Sequence, residues 1–113
     1  MVEGFWTVQF TDIQGLGFGV VTLVGGQVFG GDNGFLYTGT YAESGKTVNV
    51  RVHIKRVVDS IPKVMGLDQF DLELTGMLQG HTIAVTGVIS GTQLPFSGIL
   101  MKQGDIPTRA TSA

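Results

Sequence analysis

The sequence predicts an all-β protein, a single eight-stranded antiparallel up-and-down β-barrel of the lipocalin-like kind. Apolar and polar residues alternate along most of the 113-residue chain, which is the period of a strand with one face in a core and the other in water. Short turns that contain glycine separate these segments, as in antiparallel neighbours. Several of the 18 glycines fall inside the segments, where a strongly coiled sheet needs bends. Closure into a barrel is expected because it removes the exposed edges of an apolar sheet.

The first four strands are predicted over 4–11, 17–24, 27–30 and 35–42. Trp6, Val8 and Phe10 share the predicted inner face of the first strand. The second strand is apolar on both faces, and the two glycines after it suit a hairpin turn in which both positions take positive φ. Tyr37 and Tyr41 share one register of the fourth strand.

The fifth strand, Thr47–Arg56, has the clearest pattern, because apolar residues occupy every second position (Val48, Val50, Val52, Ile54). The connection 57–67 is too long for a tight turn and contains Pro62, which argues against a strand; it leaves room for one short helical turn. Three further strands are predicted over 70–75, 82–90 and 95–103. We expect residues 1–103 to form the β-barrel domain and residues 104–113 to form a flexible C-terminal tail.

The composition excludes several classes of function. Charged residues make up 14% of the chain, about half the usual share, and the net charge of -2 gives no electrostatic reason to bind nucleic acid or an anionic membrane. There is no cysteine, and hence no disulfide and no thiolate nucleophile. The sequence shows neither a signal-peptide pattern nor an apolar run of about 20 residues. We expect a soluble, cytoplasmic protein that binds neither nucleic acid nor membrane.

No group of residues predicts a catalytic or metal site. His53 and His81 are the two histidines, and no acidic residue lies near them at the spacing of a metal ligand or a catalytic triad. The glycines at 15, 17 and 19 resemble half of a phosphate-binding loop, but no helix is predicted behind them, and a turn explains them better. We therefore expect no enzymatic activity, no metal and no cofactor.

The acidic residues after the connection are predicted to form cross-strand ion pairs. Asp71 and Glu73 share the outward face of the sixth strand, which does not suit glycoside hydrolysis, since that chemistry needs two carboxylates facing each other across a cleft. If the sixth strand lies beside the fifth, these carboxylates stand near Arg51, His53 and Lys55.

Six aromatic residues are candidates for the lining of the barrel interior: Trp6, Phe10, Tyr37, Tyr41, Phe70 and Phe96. The interior of an eight-stranded barrel is just wide enough to be filled by side chains or to hold one small ligand. Both alternatives stay open at this point. A ligand would be lipid-like or otherwise apolar, because only the tyrosines and the tryptophan of this set carry polar atoms.

Several strands carry more apolar residues than one inner face can take up. The surplus of the last two strands includes Val88, Ile99 and Met101, which are predicted to face outward. An apolar outer wall is covered most simply by a second copy of the chain across a two-fold axis. We expect a homodimer through this wall.

The chain resembles the GrlR-like negative regulators of type III secretion over residues 4–102. The resemblance is carried by five motifs in the same order and spacing: Gly4-x-Trp6, Gly17-x-Gly19-Val20, Gly30-Gly31-Asp32 followed by Tyr37-x-Gly39, Val50-Arg51-Val52-His53, and Asp68-x-Phe70-x-Leu72. It implies a lipocalin-like barrel with an apolar interior, a dimer, and a non-enzymatic regulator that binds a transcriptional activator and keeps it from its promoter.

The sequence departs from this family in one loop. The family members that bind the activator carry a consecutive acidic run after the Tyr-x-Gly strand, where this chain has Glu43-Ser44-Gly45-Lys46. Glu43 is the one acidic position that survives there, and it is the candidate partner-facing residue. The leading hypothesis is a negative regulator that acts by protein binding; the alternative is a carrier or sensor of a small apolar ligand held inside the barrel.

Overall fold

The computed structural model describes residues 2–12, 15–64 and 66–108, except for the side chain of residue 12. Over this part of the chain, eight strands form one closed antiparallel barrel, which confirms the predicted fold. Residues 13–14, the middle of the turn predicted over 12–15, and the last residues of the predicted tail, 109–113, lie outside the described residues. The strands are β1 (Gly4–Asp12), β2 (Gly15–Val24), β3 (Gln27–Gly31), β4 (Phe35–Ser44), β5 (Thr47–Arg56), β6 (Gln69–Gln79), β7 (Thr82–Ile89) and β8 (Pro95–Gly104).

Each strand pairs with the next one along the chain, and β8 pairs with β1 to close the barrel. Val8 stands opposite Leu100, and the register shifts once, between Phe5 and Trp6. The order of the strands gives the barrel two different ends. The closed end carries the N-terminal segment and the tight turns at 25–26, 45–46 and 80–81, whereas the open end carries the longer loops at 32–34, 57–68 and 90–94.

Alternate residues of each strand point into the barrel and form an apolar core. Among the described residues every buried side chain is aliphatic or aromatic, and no charged side chain is buried. The largest fully buried side chains belong to Trp6, Leu23, Leu72, Ile83, Ile89, Val2 and Val48. Burial of such side chains stabilises the fold by about 1.5–3 kcal/mol each.

Glycines inside the strands allow a neighbouring backbone to approach closely. A Cβ atom on Gly39 in β4 would lie 2.0 Å from the carbonyl oxygen of Arg51, and one on Gly87 in β7 would lie 1.9 Å from that of Glu73. No side chain fits at such distances without movement of the paired strand. Gly39 and Gly87 are therefore required by the close spacing of the barrel wall.

The expected helical turn in the connection 57–67 is wrong. Its described residues form turns, bends and one isolated antiparallel bridge between Val64 and Leu67. The guanidinium of Arg56 donates hydrogen bonds to the carbonyl oxygens of Asp59 (2.9 Å) and Ile61 (3.0 Å). These carbonyls are thus bound by a side chain rather than by the backbone of a helix, and Pro62 has no N–H to donate.

Arg56 also fixes the far end of this connection. Its guanidinium lies 2.8 Å from a carboxylate oxygen of Asp68, and this hydrogen-bonded cation holds the pKa of Asp68 below its usual range.

Among the described residues there is no helix that is long and apolar enough to cross a membrane.

Candidate functional site

The barrel interior contains a small apolar cavity. Its volume is about 70 Å³, and among its described lining residues only Tyr37 has a polar side chain. Phe10 and Phe96 form one part of its wall, with their rings stacked at a centroid distance of 5.7 Å. An apolar cavity with this lining does not suit water, which needs two to four polar partners. The interior is therefore incompletely filled by side chains, and the unfilled space is apolar.

A second space of about 140 Å³ lies at the open end of the barrel. It adjoins the cavity, because the two share five lining residues: Phe10, Tyr37, Ile54, Leu72 and Phe96. Asp32 and Asn33 supply polar groups on its rim, and Val64 from the connection covers one side. The cavity and this mouth together form the candidate site, with an apolar interior and a polar rim.

Asp32 and Tyr37 form the polar group of the mouth. The Tyr37 hydroxyl donates a hydrogen bond to Oδ2 of Asp32. Oδ1 of the same carboxylate accepts the backbone N–H groups of Gly34 and Phe35, each at 2.9 Å. Three donors therefore converge on one half-buried carboxylate, and they fix its position at the rim.

The Tyr37 hydroxyl occupies a space in the barrel wall that is open because the neighbouring residue, Gly19, has no side chain. Tyr37 is 6% exposed, and a Cβ atom on Gly19 would lie 2.8 Å from its hydroxyl oxygen. Burial raises the pKa of Tyr37 well above its usual value, and the hydrogen bond to the Asp32 carboxylate raises it further. Both effects act because they disfavour a negatively charged tyrosinate.

This raised pKa predicts a pH-dependent stability. Above pH ~10 the unfolded Tyr37 loses its proton while the folded one keeps it, so the unfolded state is favoured progressively. The stability that the protonated Tyr37 contributes is fully present below pH ~10 and is lost as the pH rises above that value. Above pH ~10 the free energy of unfolding should therefore decrease with pH more steeply in the wild type than in Tyr37→Phe. The two slopes should differ by about 1.4 kcal/mol per pH unit. Urea unfolding at several pH values measures this difference, and parallel curves for the two proteins would contradict it.

The closed end is sealed by the N-terminal segment. The indole N–H of Trp6 donates to the carbonyl oxygen of Val2 at 2.9 Å, and both residues are fully buried. The backbone N–H of Val2 donates to a carboxylate oxygen of Glu43 at 3.2 Å. Glu43, the candidate partner-facing residue, is thus exposed at the closed end and holds the chain that seals it.

The candidate lining residues fall into two groups. Phe10, Tyr37 and Phe96 line both the cavity and the mouth, and Phe70 lines the mouth alone. Trp6 and Tyr41 point into the barrel on the same strand faces, but they lie outside these two spaces. Trp6 belongs to the seal of the closed end.

The outer surface of the barrel is divided between polar and apolar strands. On β5 and β6, Arg51 pairs with Glu73, and Nδ1 of His53 lies 2.7 Å from a carboxylate oxygen of Asp71. These two contacts confirm the predicted cross-strand pairs, whereas Lys55 stands opposite Gln69. In the described part of the chain, no three histidine or acidic side chains meet as metal ligands would.

The other six strands carry an uncharged outer wall. None of the described outward-facing residues of β1–β4, β7 and β8 is charged. The three candidate dimer residues, Val88, Ile99 and Met101, are exposed on it. Seven further large apolar side chains are exposed on the outer faces of the strands: Phe5, Leu16, Phe18, Val20, Phe29, Leu36 and, on β6 at the edge of the wall, Met77. A groove of about 660 Å³ runs over the wall, and its lining includes Phe18, Ile99 and Asp32.

In the sequence, Asp32 stands out only within the motif Gly30-Gly31-Asp32, which gives it no role in a site. Asp32 lies between the predicted strands 27–30 and 35–42, and in the structure its carboxylate stabilises a turn there by accepting the N–H groups two and three residues further along the chain. The contact with Tyr37 depends on the side-chain position of a residue in the next strand. An acidic turn residue five positions before a tyrosine of the inner register is the one signal that could have indicated it.

The fold and the site define a closed antiparallel β-barrel with an apolar interior that opens at one end. No protein-family model matches the chain, and no curated protein is significantly similar to it. The resemblance to the GrlR-like regulators therefore stays a prediction.

Proposed function

We propose that the protein is a non-enzymatic binding protein of the cytoplasm, in which two copies associate through the uncharged outer wall. The dimer would act as a negative regulator of the GrlR-like kind by binding another protein such as a transcriptional activator. The observation that carries this proposal is the wall itself, which spans the outer faces of six of the eight strands without a charged side chain among its described residues. The activator as partner is supported by the sequence resemblance alone.

The exposure of the wall favours a protein partner. Phe18 is 64% exposed and Val20 is 58% exposed on neighbouring positions of one strand face. Burial of apolar surface favours association, and large exposed apolar patches typically mark interaction sites. A standard interface needs only about 800 Å² per partner, a small part of the 6907 Å² accessible surface of the chain.

A second copy is the simplest occupant of the wall. The described outward-facing side chains of the wall carry no charge that would demand a complementary partner, and Asp32 borders the groove from a loop. The wall is continuous across the closing strand pair, where Thr7 and Gln9 stand between Ile99 or Met101 on one side and Phe18 or Val20 on the other. An isologous interface joins the same patch on both subunits, so an uncharged patch meets no like charge across the axis.

The variant Ile99→Asp tests the dimer. We expect the wild type to sediment at twice the 12.0 kDa mass of one chain. Ile99→Asp should weaken the dimer by about a hundredfold or more, because a short carboxylate would be buried without a partner. Analytical ultracentrifugation over a range of concentrations measures the dissociation constant.

The control is Asn49→Asp, which adds the same charge to the polar outer face of β5. The new carboxylate would still accept the hydrogen bond that the Thr75 hydroxyl donates to the side-chain oxygen of Asn49 at 2.8 Å. This variant should sediment as the wild type does. A monomeric wild type, or an equal loss in both variants, would overturn the interface.

The partner is tested by native mass spectrometry of the protein purified from its own host. We expect a dimer that carries a second protein, whose sequenced fragments identify it as a DNA-binding activator. A dimer with no second protein, or with one unrelated to transcription, would remove the regulatory part of the proposal and leave the dimer intact.

A further inference from the structure

We propose that the barrel binds a small amphiphile with one apolar ring or a short apolar chain and a single hydrogen-bond-donating head, of which a protonated amine is the best. The apolar body would occupy the interior cavity, and the head would bind the carboxylate of Asp32 at the mouth. This site lies inside the barrel, so the inference stands apart from the proposed dimer and its partner.

The size of the two spaces sets the size of the ligand. The cavity of about 70 Å³ and the adjoining mouth of about 140 Å³ lie in the range in which an apolar protein cavity of ~150 Å³ binds benzene. A single ring fits such a volume, whereas a long acyl chain does not. The closed end prevents passage through the barrel, because Val2 and Trp6 are buried there against each other.

The lining sets the chemistry of the body. The described lining of the cavity consists of aliphatic and aromatic side chains, and the one polar group among them, the Tyr37 hydroxyl, is directed to Asp32. A polar group of a ligand in the interior would therefore lose its water without gaining a partner. The ligand body must be apolar, with its polar group at the mouth.

The hydrogen bonds at the mouth set the chemistry of the head. A carboxylate has about four acceptor positions, and the described donors to Asp32 are three: the Tyr37 hydroxyl and the N–H groups of Gly34 and Phe35. One position is left for a ligand. Tyr37 gives its only proton to Asp32, so its oxygen offers lone pairs to a further donor.

A ligand with a negatively charged head is disfavoured at the same place. It would stand beside the Asp32 carboxylate, and Asn33 is the one side chain of the described mouth lining with N–H donors. Of the two cations at the nearby connection, Arg56 is engaged by Asp68 and by two backbone carbonyls, and Nζ of Lys63 lies 3.6 Å from a carboxylate oxygen of Asp68. The mouth therefore selects a donor over an anion.

Four probes with the same ring test this inference: benzylamine, benzyl alcohol, toluene and benzoate. Each is titrated into the wild-type protein, with binding followed by the NMR signals of the methyl groups. Ile54 and Leu72 report on the interior, and Ile99 reports on the outer groove, which Asp32 also borders. We expect the signals of Ile54 and Leu72 to shift, with affinity decreasing from the amine through the alcohol and toluene to benzoate.

The difference between benzylamine and benzoate should be about tenfold or more, as expected of a hydrogen bond to a charged group. Benzoate or toluene binding as tightly as benzylamine would overturn the role of Asp32. Shifts at Ile99 alone, or no shifts with any probe, would overturn the interior site. Neither result affects the sedimentation experiment on the dimer, so the two proposals fail separately.

A pair of matched variants separates the head contact from the packing of the ring. Tyr37→Phe removes the hydroxyl and keeps the ring, and Tyr41→Phe makes the same change outside the two spaces. We expect Tyr37→Phe to change the ratio of benzylamine to toluene affinity by about threefold or more, and Tyr41→Phe to leave it unchanged. An unchanged ratio in Tyr37→Phe would contradict the head contact. If Tyr37→Phe does not fold, the order of the affinities of the four probes for the wild type still tests the head contact with Asp32.

Discussion

Replacement of Gly39 by alanine should lower the free energy of unfolding by about 3 kcal/mol. The new Cβ atom would lie 2.0 Å from the carbonyl oxygen of Arg51 and 2.8 Å from the Cα atom of Val52. Both are backbone atoms of β5, so the clash cannot be relieved by rotation of a side chain. The two strands must separate locally, which weakens their hydrogen bonds. Urea unfolding followed by the fluorescence of Trp6, the single tryptophan of the chain, measures the loss.

The control for this variant is Gly104→Ala at the end of β8. A Cβ atom there meets nothing within 4 Å, so the same chemical change should alter stability by no more than about 0.5 kcal/mol. An equal loss in both variants would show that the effect comes from glycine itself and not from the close approach of β5.

Replacement of Trp6 by alanine should lower the free energy of unfolding by about 4 kcal/mol. Trp6 is 1% exposed and is among the largest fully buried side chains of the barrel. Its removal leaves a cavity at the closed end and also leaves the carbonyl oxygen of Val2 without its hydrogen bond. Such a loss is a large part of the roughly 5–15 kcal/mol that stabilises a typical domain. Circular dichroism in urea measures it, since the variant has no tryptophan fluorescence.

The variant Trp6→Phe separates the two contributions. Phenylalanine fills most of the space but cannot donate to Val2, so the expected loss is about 2 kcal/mol, the cost of a buried carbonyl without a partner. A loss in Trp6→Phe as large as that in Trp6→Ala would mean that the hydrogen bond alone matters. No loss in Trp6→Phe would mean that the N-terminal segment is held by other contacts.

The strands and their pairing could be predicted from the sequence because both depend on local properties. The alternation of apolar and polar residues in β5 is visible within ten residues, and short turns force consecutive strands to pair. The contacts of Arg51 with Glu73 and of His53 with Asp71 then follow from the pairing of β5 with β6. The connection 57–67 could not be predicted in this way, because its conformation depends on the hydrogen bonds of the Arg56 side chain.

The lining of the cavity could be predicted only in part. Trp6 and Phe10 lie on the same inner face of β1, yet Trp6 seals the closed end and Phe10 lines the cavity. The alternation gives the face of a residue but not its depth along the barrel axis, which depends on the tilt and the stagger of all eight strands. The role of Asp32 is non-local for a related reason, since it requires the position of the Tyr37 side chain.

The pairing of β1 with β8 also determines how the chain can fold. The Thr7 hydroxyl donates to the carbonyl oxygen of Met101, 94 positions further along the chain, so the last contacts of the barrel join its first and last strands. Contacts between distant residues require the closure of a long loop, and proteins rich in such contacts fold slowly. During synthesis β1 therefore has no partner on one side until the residues of β8 have left the ribosome, so the barrel cannot close before β8 has been translated.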